Sequence, residues 1–172
     1  RRPIAFNRFC SHSGDGPFLT PRIRRPAKAG QPACASGRMV MLTGLSNLPV
    51  TGSPGMLDIE VTFEASCNTE EDFVMTIKVP ATSLCPCSKE ISEYGAHNQR
   101  CEMEVKVRFQ PDKYMWIEEL FELVEQTASA QVFAVLKRPD EKFVTEAAYN
   151  NPKFVEDIVR DLALALEQED RV

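Results

Sequence analysis

The chain has 172 residues, of which 43% are hydrophobic and 26% are charged, and its formal net charge is −5. This balance is ordinary for a globular protein, and the length suffices for one domain with a real core. No run of eighteen apolar residues occurs, and the opening RRPIAFNRFC lacks the apolar stretch of a secretory signal, so we expect no membrane span. Six cysteines are too few for a disulfide scaffold. We therefore expect a cytoplasmic protein with reduced thiols.

Charge divides the chain near Gly55. Residues 1–55 contain eight Lys or Arg and one acid, a net charge of +7, whereas residues 56–172 contain twelve basic and twenty-four acidic residues, a net charge of −12. Because residues 1–55 show no sustained period and contain turn-forming text such as GQPACASGRM, we expect them to be loop or disorder. A basic tail of this kind can bind nucleic acid. We favour a poorly folded segment, and nucleic acid is not the expected partner.

Residues 56–172 form the predicted folded domain, and three alternating stretches predict strands in it. The first runs from Leu57 to Ala65 and has one polar face. The second, from Phe73 to Val79, follows the polar turn CNTEED and should form a hairpin with the first. The third alternates from Cys101 to Phe109.

The sequence after the third strand predicts two helices and a short strand. WIEELFELVEQTA places apolar residues at helical spacing, which indicates an amphipathic helix, and QVFAVLKR predicts a short apolar strand. The last helix should begin at Asn151-Pro152. Its expected buried stripe is Val155, Ile158, Val159, Leu162 and Leu166. Paired strands followed by helices predict an α+β fold, an antiparallel sheet with helices packed on one face.

Residues 84–100, LCPCSKEISEYGAHNQR, bring potential metal ligands and reactive side chains close together in the sequence. The thiols of Cys85 and Cys87 and the imidazole of His97 are ligand types that suit zinc, iron or manganese. Since neighbouring side chains of a strand diverge, one thiol is expected to bind a metal while the other does chemistry. The alternative is a chance pair of small apolar residues, because a closed structural zinc site usually takes four ligands. Spacing alone leaves these interpretations open.

The same residues resemble the signature of the GTP cyclohydrolase type IB family of folate biosynthesis. The resemblance continues through YMWIEELFELVEQTASAQVFAVLKRPDEKFVTEAAYNNPKFVEDIVRD and covers about residues 54–170. It implies a tunnelling fold, in which antiparallel strands and paired helices assemble into barrels with active sites between subunits. It also implies hydrolysis of GTP to 7,8-dihydroneopterin triphosphate and formate, a divalent metal cofactor (manganese, iron or zinc) and a homo-oligomer, a tetramer by resemblance.

The resemblance also implies roles for individual residues. Cys85, His97 and Glu141 correspond to metal ligands, and Cys87 to a residue for proton transfer or water positioning, although the two cysteine roles are interchangeable at this stage. Glu156 corresponds to the acid that binds the guanine edge, where a carboxylate accepts two parallel donors. Both acids have structural alternatives. Glu141 is also suited to the start of a helix, and Glu156 to a surface pair with Arg160.

The sequence departs from the family pattern at both ends. Residues 1–50 do not match the family's first module, which carries a Gly-x-His-Met-Ser-Arg-Phe type motif, and the strand and histidine expected after EQEDRV are absent. We therefore expect an incomplete tunnelling fold. The alternative function is a non-catalytic, truncated domain of this fold. A nitrile reductase with the same fold fits the spacing of Cys85, Cys87 and His97 less well.

Overall fold

The structure is a computed structural model that describes residues 33–67, 71–110 and 112–172. Five strands and four helices occur in these residues, in the chain order β1 Ala33–Asn47, β2 Pro54–Cys67, β3 Glu71–Leu84, α1 Pro86–Ile91, β4 Asn98–Arg108, α2 Ile117–Thr127, β5 Ala130–Gln131, α3 Arg138–Asn150 and α4 Val155–Glu167.

The strands form one antiparallel sheet in the order β1-β2-β3-β4. The β2–β3 hairpin pairs Cys67 with Glu71, and its register ends at Glu60 and Lys78. Beyond that point, β5 pairs with Ala81 and Thr82 of β3, on the edge that β2 has left. Strand β3 therefore lies at the centre of the sheet, and its C-terminal end is held by β4 on one side and β5 on the other.

The core lies on one face of the sheet, beneath α2. The alternating strand positions and the helical stripe meet there, and the side chains buried in this cluster include Ile59, Val61, Met75, Ile77, Val79, Val105, Val107, Ile117, Leu120, Phe121 and Val124. Burial of each large apolar side chain is worth roughly 1.5–3 kcal/mol relative to its exposure. The opposite face carries charged pairs, such as Lys106 with Glu64 at 2.7 Å and Lys78 with Glu104 at 3.6 Å. The predicted α+β class, the three strands and helix α2 are confirmed.

Strand β1 lies inside the segment that we expected to be loop. For Ala33–Asn47 that prediction is wrong, because these residues pair along β2 from Ala33↔Cys67 to Asn47↔Pro54. Backbone pairing with a well-patterned neighbour outweighs the weak propensity of small and turn-forming residues. Residues 1–32 lie outside the described residues, so their predicted disorder and the alternative of nucleic-acid binding stay predictions. The domain boundary at residue 55 also stays a prediction.

The C-terminal elements differ from the sequence expectation in three ways. Within QVFAVLKR only Gln131 is in a strand, because β5 pairs with just two residues of β3. Helix α4 begins at Val155 rather than at Asn151-Pro152. Asn151 instead ends α3, since its N–H donates to Ala147 and its side-chain amide donates to the carbonyls of Ala128 and Ser129.

The stripe predicted for α4 is wrong in part. Ile158 is buried, and Leu162 and Leu166 pack against the core cluster, but Val155 and Val159 are 59% and 62% exposed. The helix therefore contacts the core along one narrow edge. Among the four helices of the described residues, none is long and apolar enough to cross a membrane.

A buried carboxylate joins the β1–β2 turn to the start of α3. Asp140 is fully buried, and its carboxylate accepts the N–H groups of Val50 at 2.9 Å and Thr51 at 3.0 Å and the Thr51 hydroxyl at 2.8 Å. Burial acts to raise the pKa of Asp140, but these donors outweigh it and hold the pKa below its usual value. The ionised carboxylate therefore stabilises this junction.

Replacing Asp140 tests this junction. Asp140→Asn should lower the Tm at pH 7 by about 5 °C or more, because the single oxygen of the amide cannot accept all three hydrogen bonds. The amide nitrogen would also point its own N–H groups towards the backbone N–H groups of Val50 and Thr51. Asp58→Asn, at an exposed position of β2, is the matched control and should leave the Tm nearly unchanged.

The effect should also depend on pH with a defined sign. Because folding depresses the pKa of Asp140, its contribution is complete above the unfolded value of about 4 and is lost as the pH falls through the lower folded value. The Tm difference between parent and Asp140→Asn should therefore shrink below about pH 4. A difference that is equal at pH 7 and pH 2.5 would contradict an ionised acceptor.

Candidate functional site

Cys85 and His97 extend the β3–β4 ladder by one pair. The last residues of the two strands, Leu84 and Asn98, are partners in the antiparallel register, and the N–H of Cys85 donates to the carbonyl of His97 at 2.9 Å. Residues opposite each other in an antiparallel pair project from the same face, with Cβ atoms about 4.5–5.5 Å apart. The ladder therefore places Cys85 and His97 opposite each other on one face of the sheet, although they are twelve positions apart in the chain.

Helix α1 begins immediately after Cys85. Pro86 occupies its first turn, which fixes the backbone for helix entry, and Cys87 lies in the helix. Cys85 is half-buried and Cys87 is exposed. Cys85 therefore lies between β3 and α1, whereas Cys87 lies inside α1. They occupy different backbone environments, and the different roles expected for them stay a prediction.

The hydroxyl of Ser88 joins the two ends of this segment. It donates to the carbonyl of Cys85 at 2.9 Å and accepts the N–H of His97 at 2.7 Å. The next residue, Lys89, docks α1 on α3, because its ammonium donates to the carbonyl of Tyr149 and lies 4.2 Å from the centre of that ring. The sequence assigned no specific role to either residue, although Pro86 signals a helix start that would have placed Ser88 in its first turn.

A cleft of about 400 Å³ lies between this segment and α3. Its volume is in the range of small-ligand sites. Residues on both sides of His97 contribute to it, together with the last turns of α3, and its lining is Leu84, Gly95, Ala96, Asn98, Thr145, Glu146, Tyr149 and Asn150.

Glu156 lies at the same end of the sheet as Cys85. The N–H of Lys153 donates to the carbonyl of Leu84 at 3.0 Å, and the Lys153 ammonium donates to Thr127 at 2.9 Å and Asp161 at 2.7 Å. Glu156 follows three residues later, exposed in the first turn of α4. Its alternative role as a partner of Arg160 is wrong, because Arg160 pairs with Asp157 at 2.8 Å.

Glu141 lies at the far end of α3. It is exposed in the first turn of that helix, where it binds Arg138 at 3.0 Å, so its structural alternative at a helix start is confirmed. Eight residues separate it from Tyr149, or about 12 Å along the helix axis. In the part of the chain that the structure describes, no group of three His, Cys, Asp or Glu side chains is placed to hold a metal ion. One copy therefore joins Cys85 with His97 but not with Glu141.

The thiols of Cys85 and Cys101 differ in their environments. The backbone N–H of Ser88 is the main group that lowers the pKa of the Cys85 thiol, partial burial opposes it, and the backbone N–H of Cys87 adds to the lowering. Burial instead raises the pKa of Cys101, on β4. Cys85 is therefore biased towards thiolate, the form that binds metals and attacks electrophiles.

Cys85 and His97 fit part of a metal site. A thiolate-biased sulfur and an imidazole on the same face of a ladder pair supply two ligands of the soft and borderline type that zinc and iron accept. The described part of one chain does not complete the set with a carboxylate.

The thiols of Cys85 and Cys101 should differ in their rates of alkylation. In chelator-containing buffer at pH 7, iodoacetamide should label Cys85 at least about threefold faster than Cys101, because only thiolate reacts. Tandem mass spectrometry of digests gives both rates and distinguishes Cys85 from Cys87. In denaturant the Cys85 and Cys101 rates should converge. Faster labelling of Cys101 in the folded chain would contradict the difference in pKa.

Comparison with known proteins agrees with the resemblance in the sequence. A family model described as type I GTP cyclohydrolase folE2 matches residues 35–172. GTP cyclohydrolase FolE2 of Fervidobacterium nodosum is 52% identical over 129 residues, which are 74% of this chain and 49% of that protein. GTP cyclohydrolase FolE2 of Aromatoleum aromaticum is 56% identical over 126 residues, 72% of this chain and 46% of that protein.

The match covers most of this chain but less than half of each relative. The chain spans about half the length of the curated relatives that it matches. The matched region includes β2 to β5, all four helices and the Cys85–His97 pair. The chain therefore belongs to the FolE2 family of GTP cyclohydrolases.

Proposed function

We propose that this chain is the catalytic part of a GTP cyclohydrolase, which hydrolyses GTP to 7,8-dihydroneopterin triphosphate and formate with the help of a divalent metal ion. The observation that carries the proposal is the ladder pair of Cys85 and His97, joined by the 2.9 Å hydrogen bond between their backbones. Family membership supplies the reaction. The free thiols of Cys85, Cys87 and Cys101 suit the cytoplasm.

Cys85 and His97 would hold the metal ion, which the family resemblance narrows to manganese, iron or zinc. When bound, such an ion supplies Lewis-acid chemistry that makes water a nucleophile at neutral pH. We assign the ligand role to Cys85 because the pKa of its thiol is lowered and its backbone pairs with that of His97 in the ladder. Cys87, exposed one residue into α1, then remains to transfer a proton or orient water.

Glu156 would bind the guanine base. A carboxylate accepts two parallel N–H donors, and the Watson–Crick edge of guanine offers a ring N–H beside an exocyclic amino group. The position of Glu156 supports this role, because Lys153 attaches the start of α4 to the end of β3 beside Cys85. The cleft next to His97 provides room for a ligand.

A homo-oligomer would complete the site. Glu141 and the Cys85 end of the sheet lie at opposite ends of α3, so Glu141 can act as a ligand only if a neighbouring copy supplies it. Several large apolar side chains are exposed on the single copy, including Ile91, Tyr94 and Phe143. We propose that copies associate in the manner of a tunnelling fold, as a tetramer, and cover such residues.

The second candidate function is a non-catalytic domain that retains the fold. The separation of Glu141 from Cys85 and His97 within one copy favours it. It predicts metal binding by the purified chain without turnover.

Incubation with GTP and manganese tests the leading proposal directly. The purified chain should form a pterin that becomes fluorescent after oxidation, and Cys85→Ser should lower kcat by at least about a hundredfold, because the alcohol stays protonated and binds metal poorly. Cys101→Ser is the matched control and should retain most activity, since Cys101 lies outside the pair. No pterin from a folded, metal-loaded parent would overturn catalysis by this chain.

Mixing two inactive variants tests the shared site. Cys85→Ala and Glu141→Gln should each be inactive alone. If Glu141 acts on a neighbouring copy, subunit exchange between them should restore activity at about a quarter of the sites, because random pairing joins an intact Cys85 with an intact Glu141 that often. Mass photometry of the mixture confirms the exchange. No recovery from a mixed oligomer would contradict a ligand supplied by the neighbour.

A further inference from the structure

We propose that Ser88 is a positioning residue whose hydroxyl sets the separation of Cys85 and His97 and thereby the metal affinity of the site. The inference rests on the proposed function, since it assigns a role within the same site. Its basis is the pair of hydrogen bonds by which one hydroxyl joins the carbonyl of Cys85 to the N–H of His97.

The position of Ser88 in the ladder explains why this matters. Two residues of a hydrogen-bonded antiparallel pair exchange both N–H···O=C bonds. Cys85 and His97 form one of these directly, from the N–H of Cys85 to the carbonyl of His97 at 2.9 Å. In place of the other, the Ser88 hydroxyl is inserted between the N–H of His97 and the carbonyl of Cys85, at 2.7 Å and 2.9 Å.

The inserted hydroxyl solves a local geometric conflict. After Cys85 the chain must leave β3 and enter α1, so the carbonyl of Cys85 also accepts the helical N–H of Lys89 at 3.2 Å. That turn moves the carbonyl away from a direct ladder bond. Ser88, in the first turn of α1, reaches back and closes the ring of hydrogen bonds. The backbone of His97 is thus fixed relative to Cys85 on both sides, which fixes where the two side chains can meet.

The loss of the hydroxyl should release one side of this ring. His97 would keep its carbonyl bond to Cys85 but lose the acceptor of its N–H, so the imidazole could swing relative to the thiol. Groups that orient metal ligands typically contribute 10–100-fold to metal affinity. Thr carries the same hydroxyl and should preserve the ring, whereas Ala cannot.

The chain contains a matched control in the same segment. Ser92, at the end of α1, also forms two hydrogen bonds through its hydroxyl, to the carbonyl of Tyr94 at 3.1 Å and from the N–H of Tyr94 at 3.2 Å. These bonds join neither Cys85 nor His97. Ser92→Ala therefore removes an equivalent hydroxyl without touching the ladder pair.

The experiment measures cobalt affinity of the full chain by competition with a chromophoric chelator, and it follows the sulfur-to-cobalt charge-transfer band as the signature of Cys85 ligation. Ser88→Ala should weaken cobalt binding at least about tenfold, while Ser88→Thr and Ser92→Ala stay within about threefold of the parent. Thermal melts and hydrogen exchange check that each variant folds and that the His97 amide exchanges faster only in Ser88→Ala.

Each outcome decides the proposal. Unchanged affinity in a folded Ser88→Ala variant overturns it, and so does an equal loss in Ser92→Ala, which would indicate general loosening of the segment. A parent chain that binds no cobalt through sulfur also overturns it. Because the affinity ratio is independent of GTP, a parent that binds cobalt through Cys85 but forms no pterin refutes the proposed catalysis and leaves the role of Ser88 to be decided by the ratio alone.

Discussion

One extra pair at the end of an antiparallel ladder, Cys85 with His97, forms the centre of the candidate site. Strands β3 and β4 are held in register over eleven residue pairs, from Val74↔Arg108 to Leu84↔Asn98. A slip of one residue would reverse the face of every side chain in β4 and separate Cys85 from His97. The buried residues of β3 and β4 prevent that slip, since Val105 and Val107 face the core only in this register. Core packing and site geometry therefore depend on the same register.

Hydrogen bonds from two lysines fix the helices near the end of the sheet that carries Cys85 and His97. Lys153 attaches the start of α4 to Leu84, and Lys89 attaches α1 to the last turn of α3. Asp140 binds the β1–β2 turn at the opposite end of α3. Helix α3 thus spans the distance between the two ends, which explains why Glu141 and Cys85 do not meet in one copy. Under the proposed function, a neighbouring copy would have to supply Glu141 to the site.

The sequence predicted the parts of the fold that have strong periodicity. The alternation in β2 to β4 and the helical stripe of α2 are set by burial on one face, and burial leaves a readable pattern. Strand β1 and the start of α4 were missed, because pairing and side-chain caps determine them. Asn151 resembles the start of the next helix but ends α3 through bonds to Ala128 and Ser129, residues far away in the chain.

In the candidate site too, some features were predictable from the sequence and others depend on the packed structure. Residue chemistry and the family resemblance predict Cys85, Cys87, His97, Glu141 and Glu156 as site residues. The ladder bond between Cys85 and His97, and the inserted hydroxyl of Ser88, follow from register and helix entry, which no local pattern specifies. The surface pairing expected for Glu156 failed because Asp157 is the acid that meets Arg160. Residue types are thus readable from sequence, whereas their partners depend on the packed structure.

X-ray absorption spectroscopy of the zinc-loaded chain examines the metal pair most directly. The Cys85–His97 pair predicts one sulfur ligand at about 2.3 Å and at least one imidazole nitrogen at about 2.0 Å, with the remaining ligands from oxygen or nitrogen. The sulfur signal should vanish in Cys85→Ala and persist in Cys87→Ala. A zinc shell without sulfur, or one with two sulfur atoms, would contradict the single-thiolate site that the ladder geometry supports.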